Sequence, residues 1–176
     1  MVKRFRRVVT GLDQHGRSCI VFDGEAACVA EMASMPGLAL TDVWETTTTP
    51  ANNSGIDDAV ERPVRLEPPA GGSLFRIVEF PPDSAWRDGA DAGAAFASIG
   101  SHDAHDETSS DPMMHKTATI DYIVVLSGEM HAVLEAGETL LKPGDLFVQR
   151  GTVHSWSVRG TEPCIIAVVL VNATRI

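Results

Sequence analysis

The sequence has 176 residues, a length that suits one domain able to bury most of its apolar surface in a single core. With 44% hydrophobic and 22% charged residues it has the composition of a globular protein, which excludes a disordered or fibrous chain. The formal net charge of −10 sets an average field that repels phosphate backbones and anionic lipid surfaces, so neither nucleic acid nor a membrane is expected as a partner.

Taken in chain order, the basic cluster Lys3, Arg4, Arg6 and Arg7 reads as a solvated start. Two β-branched runs, 4–10 and 18–23, flank the turn-rich Asp13-Gln14-His15-Gly16 and predict an N-terminal hairpin that packs on the main body or crosses to a partner subunit. An extended run over 38–49 stops at Pro50, and residues 50–72, rich in Pro, Gly, Asn and Asp, predict a long loop. Residues 74–80 predict a strand that Pro81-Pro82 ends, with Arg76 standing alone among apolar neighbours. That arginine either pairs with a carboxylate or offers a cation to an anionic substrate. The Ala/Gly-rich piece 89–99 suits a short helix. The polar stretch 101–107, which carries His102 and His105, is expected at the surface or over a pocket mouth, where either histidine could complete a site from a lid.

From Met113 the strand signal is dense. Residues 120–126, the alternating Met130, Ala132 and Leu134, residues 139–141, 146–149 and 165–171 are separated by short Gly- and Pro-containing turns, which predicts antiparallel all-β architecture of sandwich or small-barrel type. His131 lies opposite in phase to the alternating apolar residues and is expected to face away from the interior. The apolar run Cys164–Val171 is far shorter than the roughly 20 residues a membrane span needs. Three cysteines without CxxC spacing suggest neither a disulfide framework nor a zinc ribbon, and a cytoplasmic location is expected.

Two segments carry a family resemblance. His115-Lys116-Thr117-Ala118-Thr119-Ile120-Asp121, followed after six residues by Gly128, resembles the first cupin motif: His-x-His, three or four residues, Glu, six residues, Gly. Residues 143–154, running from Pro143-Gly144-Asp145 to Gly151-Thr152-Val153-His154, resemble the second motif, which ends in Gly-x-x-His. The resemblance implies a cupin double-stranded β-helix (jelly-roll) barrel with the hairpin as an N-terminal extension, all one domain. Within it, residues 1–50 supply the first strands, 51–112 a loop-rich segment with one barrel strand, and 113–176 the core that carries both motifs.

In the family, three histidines and a glutamate hold a divalent ion. Carried over, this implies His115, Asp121 and His154 as ligands of a divalent transition metal such as Zn, Fe, Mn or Ni, with the site occupied or empty. Thr117 stands where the family has a histidine and Asp121 where it has a glutamate. A straight strand would set His115 and Asp121 roughly 20 Å apart, so the chain must bend between Thr117 and Asp121. Asp121 could instead be a buried carboxylate held by backbone N–H groups or by Thr119, and then serve with His154 in acid–base catalysis. Trp156 shares a face with His154 and is a candidate pocket wall; with Thr117 and Arg76 it completes the expected substrate-binding set.

The leading functional expectation is a lyase or isomerase acting on a small oxygenated organic metabolite with the metal as Lewis acid. A non-haem Fe(II) dioxygenase and a non-catalytic binding or sensor protein are the alternatives. A homodimer is expected, because a short barrel with an extra hairpin leaves apolar edges to cover.

Overall fold

The structure is a computed structural model and describes residues 2–89, 91–101, 104, 109–111 and 113–176. Among the described residues there are eleven strands: β1 (Arg6–Leu12), β2 (Ser18–Glu25), β3 (Val29–Glu31), β4 (Ala39–Thr46), β5 (Ser73–Phe80), β6 (Thr119–Ser127), β7 (Met130–Leu134), β8 (Gly137–Leu141), β9 (Leu146–Gln149), β10 (His154–Ser157) and β11 (Cys164–Asn172). One α-helix, α1 (Ala92–Ser98), lies between β5 and β6, and Asp91 caps it by accepting from the Ala94 N–H.

The strands form two facing sheets and a separate hairpin. The larger sheet has the order β3-β4-β5-β11-β6-β9 and the smaller β10-β7-β8, while β1 and β2 pair only with each other. Every pairing is antiparallel. This is the all-β double-stranded β-helix that the motifs imply, with the hairpin as an addition to it. Among the described residues no helix is long and apolar enough to cross a membrane.

The core fills the space between the sheets. Leu74 and Met130 are fully buried, as are Cys164, Val125 and Ala132 to within a percent, and each large apolar side chain so placed contributes about 1.5–3 kcal/mol. Gly128, at the end of the first motif, makes the turn from β6 to β7 with φ +70°. A Cβ there would lie 2.3 Å from the Pro163 carbonyl oxygen, so the close approach of two backbones requires glycine.

A network of buried charge fastens the long loop to the larger sheet. Arg76 Nε donates to Asp42 Oδ1 at 2.6 Å, Arg62 donates to the other Asp42 oxygen at 2.9 Å, and Arg62 and Arg65 both hold Glu45. Arg76 also donates to the carbonyls of Leu66 and Arg65. The lone charge in the apolar strand is therefore a paired one. Arg76 lines the interior cavity with its donors turned to Asp42 and the loop, the paired one of the two readings that the sequence leaves open.

Candidate functional site

Between the sheets lies a cavity of about 100 Å³. Its walls are mostly aliphatic and aromatic, among them Leu40, Val78, Phe96, Ile123 and Trp156, and its polar members are His115, Thr117, Asp121, His154 and Arg76. For scale, an apolar cavity of ~150 Å³ takes benzene, so this one suits a compact molecule or one end of a larger one.

The two motif histidines meet through the backbone. His115 forms an isolated antiparallel bridge with His154, each N–H donating to the other's carbonyl at 2.9 Å, so both side chains project on the same side. Their ring centroids are 4.3 Å apart. Each ring is oriented in the same way: His115 Nδ1 lies 2.8 Å from the Met113 carbonyl and His154 Nδ1 2.8 Å from the Thr152 carbonyl. A carbonyl only accepts, so each Nδ1 carries a proton and is the donor, the orientation used by metal-bound imidazoles. Burial, followed by the proximity of His115, lowers the His154 pKa to about 3, so this ring is neutral near pH 7.

The chain bends where the spacing requires. Residues 116–118 carry no strand pairing, and between the His115 bridge and Thr119 the chain crosses from the smaller sheet to the larger. Asp121 consequently sits on the opposite wall, paired in register with Gln149 on β9 and Leu170 on β11. Among the described residues no three His, Cys, Asp or Glu side chains gather closely enough to hold an ion. The expected ligand set of His115, Asp121 and His154 is thus divided: the two imidazoles are together, and the carboxylate belongs to the facing sheet. The imidazole pair fits two ligand positions of a divalent ion, whereas a third protein ligand, which catalytic sites ordinarily supply, is not found among the described residues. His102 and His105 lie outside the described residues.

Asp121 has an unusual environment. It is 6% exposed, and its Oδ1 is buried without a hydrogen-bond partner. Desolvation pushes its pKa up to about 6, opposed by a hydrogen bond from Thr119 and the positive charge of Arg76, and assisted by Glu67. Thr117, at the family's missing histidine, is 4% exposed, lines the cavity and shares a 2.7 Å hydrogen bond with the Thr119 hydroxyl. Trp156 lines the cavity and meets the His154 ring edge-on at 5.3 Å, so it is both pocket wall and core. His131 is absent from the cavity wall, with Nδ1 3.5 Å from Glu138 on the smaller sheet.

Two contributors escape sequence reasoning. Phe96 on α1 packs against the His115 ring with centroids 5.0 Å apart and closes one side of the cavity; an apolar residue in an Ala-rich stretch is the only trace it leaves in the sequence. Glu67, in the long loop, accepts from the Ala118 N–H at 3.0 Å and so braces the crossover between the two motif residues. No local pattern signals that role.

Comparison with known proteins bears on the fold that carries this site. The family model described as "Cupin domain" matches residues 102–171, a span that contains both motifs and strands β6 to β10. Residues 102–171 therefore match a cupin domain. Phomopsin biosynthesis cluster protein C' of Diaporthe leptostromiformis is 34% identical over 122 residues, 66% of this chain and 51% of that protein, so the chain spans about half the length of that relative. The cupin-domain-containing oxidoreductase srdD of Neurospora crassa is 24% identical over 99% of this chain and 79% of its own length. The cupin-domain-containing oxidoreductase fogC of Aspergillus ruber is 25% identical over 99% of this chain and 76% of its own.

Proposed function

We propose that this cupin is an enzyme of lyase or isomerase type that moves a proton on a small, partly apolar, oxygenated organic molecule, with Asp121 as the base. One observation carries the reading: Asp121 lines an otherwise largely apolar cavity, and its Oδ1 is buried without a hydrogen-bond partner. With a pKa of about 6 the carboxylate is ionised near neutral pH yet more basic than an ordinary aspartate, which is the condition a general base needs. Thr119 stands close enough to favour its ionised form and shares a 2.7 Å hydrogen bond with the Thr117 hydroxyl.

Across the cavity, neutral His154 presents Nε2 as an acceptor for a substrate hydroxyl, and Trp156 and Phe96 exclude water around it. The apolar walls select a substrate with a hydrocarbon portion, and the polar patch receives its oxygen. A divalent transition ion, if bound, would be held by the His115 and His154 imidazoles and would supply Lewis-acid polarisation of that oxygen.

The test is solvent-deuterium incorporation into a panel of compact carbonyl compounds, followed by NMR. Wash-in above the buffer background that disappears in Asp121→Asn is expected. Binding of panel members with no wash-in in the wild type would instead leave a non-catalytic binding protein. A second reading is favoured by the names of the relatives matching nearly the whole chain, both oxidoreductases. Oxidation by a non-haem Fe(II) dioxygenase would be seen as substrate-dependent O₂ uptake after iron loading.

A further inference from the structure

The interior cavity has two unlike walls. Its larger-sheet side is built mainly of branched aliphatic side chains, among them Val78 of β5, Ile123 of β6 and Ile166 and Val168 of β11. The other side is built of rings: His154 and Trp156 of β10, His115 bridged to His154, and Phe96 of α1. The His154 and Trp156 rings lie 5.3 Å apart at 72°, and the Phe96 ring lies 5.0 Å from that of His115. Aliphatic groups on one side and ring faces and edges on the other make a slot that suits a flat ring. At about 100 Å³, against ~150 Å³ for a cavity that takes benzene, it has room for no more than one.

The polar groups of the two walls are of one kind. Asp121 lines the cavity from the larger sheet with its Oδ1 buried and without a hydrogen-bond partner, and an ionised carboxylate only accepts. On the facing wall, His154 spends its Nδ1 proton on the Thr152 carbonyl, so the neutral ring has only an acceptor left, at Nε2. Acceptor therefore faces acceptor, and a ligand satisfies both only by donating at two places. Among the described residues that line the cavity, Arg76 is the one cation, and its donors are held by Asp42 and by the Leu66 and Arg65 carbonyls. An anion entering here would leave water for a carboxylate and no free positive charge, which is costly.

We infer that the ligand of this cavity is a neutral, flat-ringed diol. One hydroxyl donates to Asp121 and the other to His154, and the ring lies between the aliphatic wall and the rings. The inference rests on the reading of this cavity as the substrate site, though not on Asp121 abstracting a proton. A ligand without one of the two hydroxyls leaves a buried acceptor unpaired, and sites built around such hydrogen bonds discriminate strongly against the analogue that lacks them.

The test is isothermal titration calorimetry on the whole chain, free of oxygen and with chelator present, at about pH 8, where phenolic hydroxyls remain protonated. The ligands are resorcinol and hydroquinone, phenol with one donor, resorcinol dimethyl ether with none, and meta-hydroxybenzoate as the anion. At least one diol is expected to bind about 10-fold tighter than phenol and about 100-fold tighter than the dimethyl ether and the benzoate. In Asp121→Asn that diol should lose about 10-fold while meta-hydroxybenzoate gains, because the variant removes the repelling charge. His131→Ala, outside the cavity wall, should leave every affinity unchanged. The wild-type series decides the matter by itself if a variant fails to fold. A diol that binds no tighter than phenol or the dimethyl ether, a tighter meta-hydroxybenzoate, or no binding by either diol overturns the inference. Diol binding in the expected order without deuterium wash-in leaves the inference standing and removes Asp121 as the base. Wash-in confined to compounds without hydroxyl donors overturns the inference and leaves the base in place.

Discussion

Asp121→Asn removes a charge that the folded protein accommodates at a cost. Burial raises the carboxyl pKa from 3.8 to about 6 in the folded chain, so the native state binds this proton more tightly than the unfolded state does. Stability drawn from that difference is fully present below about pH 4 and is lost as pH rises through about 6; beyond it the ionised carboxylate costs about 3 kcal/mol. The asparagine variant carries no such penalty. Its stability relative to the wild type should therefore improve by about 2–3 kcal/mol between roughly pH 4 and pH 8, with most of the change falling between roughly pH 4 and 6. Urea denaturation of both proteins at closely spaced pH values, with chelator present, reads this directly. His154 titrates in both and cancels. A difference between wild type and variant that stays constant with pH would refute a desolvated, unpartnered carboxylate at this position.

Asp42→Ala should cost about 3–5 kcal/mol by denaturation, because it leaves Arg76, 1% exposed, without its carboxylate. Gly128→Ala should cost more than about 2 kcal/mol, measured in the same way, since a left-handed residue and a backbone clash coincide there. In equilibrium dialysis with Zn²⁺ or Mn²⁺, His115→Ala and His154→Ala should each remove most of any bound ion and His131→Ala none, because only the first two share a bridge and a cavity. Asp121→Asn should change that uptake little, since its carboxylate stands on the other sheet.

What local sequence can and cannot reveal follows from how each feature is encoded. The runs that become β6 and β11 are legible because β-branched residues on a pleated strand leave a dense signature, and the hairpin is legible from its turn. Strand β10 leaves little signature: His154-Ser155-Trp156-Ser157 is fully buried yet holds two serines, whose hydroxyls are satisfied by Asp111 and Asp83 from distant loops. The meeting of His115 with His154 is carried by the motif resemblance and realised by one backbone bridge. The separation of Asp121 is not legible, because motif spacing records order along the chain and not which of two facing sheets receives a residue. Arg76 shows the same limit. A lone cation in an apolar strand admits two readings, and only Asp42, 34 positions away, decides between them.

The pH dependence of deuterium wash-in tests the proposed chemistry most directly. A base at Asp121 predicts a rate on the free enzyme that rises with pH through a midpoint of about 6, the value burial imposes on its carboxyl, and that vanishes in Asp121→Asn. A rate that is flat across that range, or one that Asp121→Asn leaves unchanged, would contradict it.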